Sequence, residues 1–217
     1  HASTGTPQPL MKPDPRTAIG TVRIIGGHWR GTRLSVPASP GLRPSGDRVR
    51  ETLFNWLQPV LPGMRVLDLF AGTGALGLEA VSRGASHAVL VERDPALANA
   101  LKQTVTRLSA SAEVEVVQGD ALAWLPRQAD HAFDLVFVDP PFAQDLWQPA
   151  LAALLPKLAA GAWLYLESPV DQVPRLPQDW TLHREGRTRE VRFALYRAPD
   201  RHGADTLNGD VSMAVPE

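Results

Sequence analysis

The sequence contains no cysteine, which excludes disulfide cross-links, thiolate metal sites and any cysteine nucleophile. It also has no apolar run near the roughly 18 residues that a membrane span needs. Pro156, Lys157 and Gly161 interrupt the best candidate. The first twenty residues are polar, hold four prolines and lack the apolar core of a secretory leader, so a soluble, cytoplasmic protein is expected. Net charge is scarce too, at −1, which argues against a uniformly basic nucleic-acid binder. What is present is ordinary globular material. The 217 residues are 44% hydrophobic, enough for one domain with a small appendage around a substantial core.

Charge is unevenly distributed. Residues 21–50 carry Arg23, Arg30, Arg33, Arg43, Arg48 and Arg50 against Asp47 alone, whereas residues 65–167 carry seven Lys or Arg against twelve Asp or Glu. A basic front end on an acidic body suggests that the front end meets phosphate, although a solvated arginine face gives the same count.

The pattern along the chain divides it into four parts. Residues 1–20 lack periodicity and read as a flexible tail. In 21–62, two short β-rich runs flank Gly-His-Trp-Arg as a hairpin. A helical stretch follows, with apolar Val49, Leu53, Phe54, Trp56, Leu57 and Val60, and Asp47 is its expected N-cap. From 63 to 198, strand-like runs at 65–70, 87–92, 113–118, 133–139 and 162–167 alternate with helical segments near 74–84, 95–108, 120–128 and 145–158. That alternation predicts an α/β fold with a parallel sheet covered on both faces. Runs at 179–185 and 190–197 have no helix between them and read as an antiparallel pair closing the sheet. Residues 199–217 are polar and aperiodic, a second loose tail.

Gly72, Gly74 and Gly77 follow the first of the parallel strands as G-x-G-x-x-G and precede a helix, with Glu92 closing the next strand. Such glycines let the backbone approach a cofactor closely, and the acid suits ribose hydroxyls, so an adenosine-containing cofactor is expected. Charge then distinguishes the cofactors. A dinucleotide would bring an anionic pyrophosphate to a loop that has Asp68 at its mouth. S-adenosylmethionine would bring a sulfonium and an ammonium, which a carboxylate favours. Asp68 could otherwise only cap the turn. Asp120 can accept from an adenine amine while also capping the helix after it.

After the fourth parallel strand comes Asp139-Pro140-Pro141-Phe142, expected at the same crevice as the glycine loop. Two prolines stiffen the chain and donate no hydrogen bonds. The Asp139 carboxylate and the Pro140 carbonyl become two acceptors on a rigid frame, suited to an amine with two N–H donors. Holding both protons would favour a pyramidal nitrogen with its lone pair aimed at an electrophilic methyl, so orientation and charge stabilisation carry the catalysis. Phe142 would offer a stacking face to an unstacked base. The alternative is a proline turn with Phe142 in the core.

VRIIGGHWRG, LRPSGDRVRETLFNWL, LDLFAGTGALGLEAVSRGA, VERD and FDLVFVDPPF occur in that order. Together they resemble the RsmD-like family of 16S ribosomal RNA guanine-N2 methyltransferases over about residues 21–167, LRPSGDRVRETLFNWL being the most specific block. The resemblance implies a class I S-adenosylmethionine-dependent methyltransferase fold, Rossmann-like, whose seven-stranded sheet is mostly parallel with an antiparallel C-terminal pair. It implies methylation of the N2 amine of one guanine in 16S rRNA, within an assembled or assembling 30S subunit, and neither metal nor membrane. Cofactor contacts are implied at Asp68, Gly72, Gly74, Glu92 and Asp120, with Phe70, Ala71, Arg93, Ala121 and Asp139 beside them. Asp139 and Pro140, with Phe142, would hold the target base. Departures from the family pattern are slight: Ser45-Gly46 where Thr and a variable residue are more usual, and Thr73 where Ser is common.

On that reading the front-end arginines contact rRNA phosphates without reading sequence. Arg48, Glu51 and Thr52 could line the cofactor pocket instead. His28 and Trp29 at the hairpin tip could stack on bases or pack on the domain. Asp134 is expected to cap its strand, and the C-terminal arginines, mixed with Glu185 and Glu190, to form a solvated face. A DNA or RNA adenine-N6 methyltransferase would share the Asp-Pro-Pro-Phe geometry. A dinucleotide-dependent oxidoreductase shares only the glycine loop, and no His, Lys or Tyr stands ready to serve it. A non-catalytic RNA-binding module would have no use for an intact Asp139-Pro140-Pro141-Phe142.

Overall fold

The computed structural model describes residues 22–37, 46–141 and 145–200. Strands β1 (Val22–Arg23) and β2 (Arg33–Leu34) pair antiparallel, and helix α1 (Asp47–Leu57) follows in the chain. Then come β3 (Arg65–Asp68), α2 (Ala75–Ser82), β4 (His87–Glu92), α3 (Pro95–Arg107), β5 (Val114–Gln118), α4 (Ala121–Trp124), β6 (Phe133–Val138), α5 (Trp147–Leu154), β7 (Leu158–Pro169), β8 (Thr181–Arg187) and β9 (Val191–Arg197).

Seven of these strands form one sheet in the order β5-β4-β3-β6-β7-β9-β8. The first five run parallel, and β9 and β8 are antiparallel to their neighbours. This is the class I methyltransferase architecture that the alternating pattern and the resemblance imply.

Strand period two sorts the core into two layers. Val66, Leu135, Phe137, Tyr165 and Phe193 face one layer. Leu67, Val136, Val138, Leu164 and Leu166 face the other, under α5. The hairpin and α1 complete the first layer. Leu53, Phe54 and Leu57 are fully buried, the Phe54 and Phe137 rings lie 6.0 Å apart, and Trp56 stacks on Phe193 at 5.5 Å.

Several boundaries differ from expectation. Asp47 does not cap α1: Gly46 holds the cap position without a side-chain bond, and the Asp47 carboxylate accepts from Arg50 Nη2 at 2.6 Å. The helices expected over 120–128 and 145–158 are short and pass into 3-10 turns at Leu125–Arg127 and Leu155–Lys157. Pro126 and Pro156 sit in those turns and donate no backbone hydrogen bond. Asp134 does more than cap, since it accepts the Arg65 amide at 2.9 Å and its guanidinium at 3.0 Å. Being exposed, that pair adds little to stability.

Candidate active site

Four acids meet at the carboxyl edge of four consecutive strands. Asp68 closes β3 and Glu92 closes β4. Asp120 stands two residues beyond β5 as the N-cap of α4. Asp139 directly follows β6. The chain leaves β3 toward β4 on one side and returns to β6 on the other, so β3 lies at the switch point where an open α/β sheet forms its crevice.

The loop after β3 is bonded to both neighbours. Leu69 N donates to Phe137 O at 3.1 Å and Ala71 N to Val91 O at 2.9 Å. Gly72, at φ +57°, donates its amide to Glu92 Oε2 at 2.8 Å. Gly74 caps α2 at φ +76°, and a Cβ there would lie 2.4 Å from Leu101 Cδ2. At Gly77 a Cβ would meet Leu90 Cδ1 at 2.9 Å, so the third glycine serves helix-on-strand packing. Phe70 is half-buried, Ala71 and Ala121 are buried, and Arg93 is exposed beside Glu92.

Asp68 is 2% exposed, and its Oδ2 accepts from Gly77 N at 3.0 Å. Burial raises its proton affinity to about 7 from 3.8, the Gly77 amide opposing and Glu92 adding to the rise. Folding therefore takes up a proton here between pH 3.8 and about 7. Because the raised value belongs to the folded state, this residue's contribution to stability of the ligand-free protein falls as pH rises through that window. Asp120 Oδ1 accepts from Leu122 N at 3.3 Å, the capping role expected of it.

Asp139 is half-buried and Pro140 buried; Phe142 and Arg43 lie outside the described residues. One feature near Asp139 was not expected. Tyr165 is fully buried and donates to Glu167 Oε2 at 2.9 Å, and Trp147 Nε1 donates to the Glu167 carbonyl at 2.9 Å. Burial raises the Tyr165 phenol well above its usual value, and Glu167 and Asp139 raise it further. A second carboxylate, held by a tyrosine, thus shares the surroundings of Asp139. Tyr165 and Glu167 sit in a strand that otherwise looks like plain core, so the only sequence signal was a lone acid at the end of an apolar run.

The front-end arginines separate. Arg23, Arg30, Arg33 and Arg48 are exposed and free to meet phosphate. Arg50 is not: it is 0% exposed, which corrects its expected RNA-binding role. Its Nη1 donates to Arg23 O at 2.8 Å and to Glu79 Oε1 at 3.3 Å. Burial lowers its proton affinity while Asp47 and Glu79 raise it. Glu79, itself fully buried, also accepts the Ile25 and Gly26 amides at 2.8 and 2.9 Å and Arg83 Nε at 3.0 Å. Ser82 holds the next turn, accepting Trp29 N at 2.9 Å and donating to Gly26 O at 2.6 Å. Gly27, at φ +79°, comes so close to the Ser82 carbonyl that a Cβ would lie 2.0 Å away. Trp29 packs against the core while His28 stays exposed. Glu79 was missed, although a single acid inside ALGLEAVS was a visible anomaly.

A family model described as Conserved hypothetical protein 95 matches residues 22–197. Ribosomal RNA small subunit methyltransferase D of Escherichia coli (strain K12) is 45% identical over 190 residues, covering 86% of this chain and 95% of that protein. This chain belongs to that family. The Haemophilus influenzae protein of the same name is 44% identical over 185 residues, covering 83% of the chain and 95% of that protein. Among solved structures, Escherichia coli yhhF, described as a methyltransferase, superposes with a TM-score of 0.76 at 44% identity. It covers 83% of this chain and 99% of that one. The family match spans both the hairpin–α1 segment and the seven-stranded sheet. Among the described residues no group of three or more His, Asp or Glu is placed to hold a metal, and no helix is long and apolar enough to cross a membrane.

Proposed function

We propose that this protein transfers a methyl group from S-adenosylmethionine to the N2 exocyclic amine of a guanine in 16S rRNA of the small ribosomal subunit. The observation that carries the reading is the alignment of Asp68, the glycine loop, Glu92, Asp120 and Asp139-Pro140 along one sheet edge, in a chain 45% identical to a small-subunit rRNA methyltransferase. Cofactor fit rests on charge. A buried carboxylate of raised proton affinity beneath the glycine loop, with Glu92 beside it, opposes a pyrophosphate and favours a cation.

S-adenosylmethionine, when bound, supplies an electrophilic methyl on a sulfonium. Asp68 neutralises positive charge, Glu92 accepts ribose hydroxyls with the lone pairs that Gly72 and Asp94 leave, and Asp120 takes the adenine edge. Asp139 and the Pro140 carbonyl hold the two protons of the acceptor amine, and Asp139 stabilises charge that develops on nitrogen. Exposed Arg23, Arg30, Arg33 and Arg48, with Arg43, bind rRNA phosphates. The substrate is read as the 30S particle or its precursor, in the cytoplasm.

Methyl transfer from radiolabelled S-adenosylmethionine to undermethylated 30S subunits, naked 16S rRNA and duplex DNA tests this, with nucleoside analysis of the product. N2-methylguanosine from ribosomal substrate is expected. N6-methyladenosine instead would keep the fold and the amine chemistry and replace the acceptor.

Cofactor affinity, measured calorimetrically, is expected to tighten as pH rises toward 7, by about tenfold per unit well below that value, because a cation selects the ionised Asp68. Asp68→Asn should bind weakly and lose this dependence between pH 5.5 and 7. A wild-type affinity flat over that range would refute the role given to Asp68.

A further inference from the structure

The antiparallel pair was expected to present a solvated arginine face, yet one of its arginines is buried. Arg192 in β9 is 4% exposed. Its Nε donates to Glu185 Oε2 at 2.9 Å and its Nη2 to Tyr196 Oη at 3.0 Å. Its Nη1 has no hydrogen-bond partner, and neither has the buried Ser168 hydroxyl. Leaving such groups unpaired is costly, and few natural structures tolerate it without a reason.

Register places these orphans in one row. Arg192 is the cross-strand partner of Ser168 in β7 and of Arg187 in β8, so the three side chains project from the same face of the sheet. Two arginines directly opposite each other repel. Arg187 is exposed, and Glu185, which engages Arg192, is the carboxylate on that face of β8. The turn joining β8 to β9 adds exposed Arg189 and Glu190. Like charges in register, an unsatisfied guanidinium nitrogen and an unsatisfied hydroxyl all ask for one thing, an oxyanion.

The row also has a meaningful address. Val138, the last residue of β6, pairs with Leu166 in β7; Ser168 lies two residues beyond Leu166, as Pro140 lies two beyond Val138. Arg187, Arg192 and Ser168 therefore form a row across β8, β9 and β7 at the end of the sheet where β6 leads into Asp139-Pro140.

We infer that Arg187, Arg192 and Ser168 form a phosphate-binding row that takes a backbone phosphodiester of the RNA substrate beside its target nucleotide. The inference rests on the nucleic-acid reading of the Asp139-Pro140 site. Arg187 receives the phosphate at the surface, and Arg192 Nη1 and Ser168 Oγ complete its coordination as the side chains adjust. The contact fixes the register of the strand without reading its bases.

Binding of undermethylated 16S rRNA, titrated against KCl, tests this alongside steady-state methylation. Arg187→Gln is expected to weaken binding about tenfold, to lower the slope of log affinity against log salt by about 0.7 to 0.9, and to raise KM for rRNA. Cofactor affinity and kcat should stay unchanged. Ser168→Ala supplies the sharper signature: removing an unpaired buried hydroxyl should leave the melting temperature equal or higher, while rRNA binding weakens severalfold. A merely structural serine would not separate these readouts. Arg127→Gln, an exposed arginine in the 3-10 turn after α4, controls for overall charge. If Arg187→Gln matches that control, or Ser168→Ala binds rRNA normally, the row is no phosphate site even though wild-type methylation proceeds. Wild-type protein that neither binds nor methylates rRNA would overturn the row and the proposed function together.

Discussion

Asp139→Ala is expected to lower methyl-transfer turnover by about 10²- to 10³-fold, the range seen when one preorganised polar partner is removed from an active site. Asp139 is half-buried at the end of β6, on a frame stiffened by Pro140 and Pro141. In the proposed mechanism the lost carboxylate is both an acceptor for the amine and a negative charge beside the nitrogen as it becomes cationic. Interactions made chiefly in the transition state depress kcat more than they raise KM. Cofactor affinity should change by less than tenfold. Asp139→Asn, which keeps one acceptor oxygen and loses the charge, should fall between wild type and Ala. Single-turnover methylation with saturating cofactor makes the comparison, and an alanine variant within fivefold of wild type would remove Asp139 from the chemistry.

Glu79→Ala is expected to destabilise the fold by about 3–5 kcal/mol, the cost of removing one member of a buried ion-paired cluster. In a chain of this size that corresponds to a fall in Tm on the order of 10 °C. Glu79 is the meeting point of Arg50, Arg83 and the Ile25 and Gly26 amides. Its loss orphans two backbone donors and takes from Arg50 one of its two carboxylate partners, leaving Asp47 and the Arg23 carbonyl. Hydrogen exchange should show the β1–β2 segment opening first, because its polar anchorage to α2 runs through Glu79 and Ser82. Thermal unfolding of Glu79→Ala beside Arg83→Ala, whose side chain is partly exposed, gives the contrast. A Glu79→Ala Tm within 2 °C of wild type would mean that Arg50 finds compensation elsewhere.

These two residues differ in how visible they were beforehand. Asp139 could be located from its neighbours alone: an apolar strand, then an acid and two prolines, which bear their meaning within four residues. The glycine loop is equally local. Positive φ at Gly72 and Gly74 follows from a tight strand-to-helix turn, and the parallel run of five strands follows from strand–helix alternation. The acids at 68, 92, 120 and 139 fall on one edge because each ends, or closely follows, a parallel strand.

Arg50 and Glu79 could not be placed in this way. They stand 29 positions apart, with the rest of α1, β3 and the glycine loop between them, and in sequence Arg50 is indistinguishable from exposed Arg48, two positions earlier on the same helix. Which of the two is desolvated depends on how α1 rotates against α2, and that is decided by Leu53, Phe54 and Leu57 seeking the core. Arg192 and Ser168 show the same limit in the sheet, where a cross-strand register gathers residues from β7, β8 and β9 into one row. The strand–helix alternation, the left-handed glycines and the line of acids at the strand ends are consequences of short-range sterics and hydrophobic period, so they can be read from the chain alone. Burial and charge pairing depend on surfaces brought together from distant segments. Only the tertiary structure could decide which arginines meet solvent, which meet a carboxylate, and which are left with an unpaired hydrogen-bond donor.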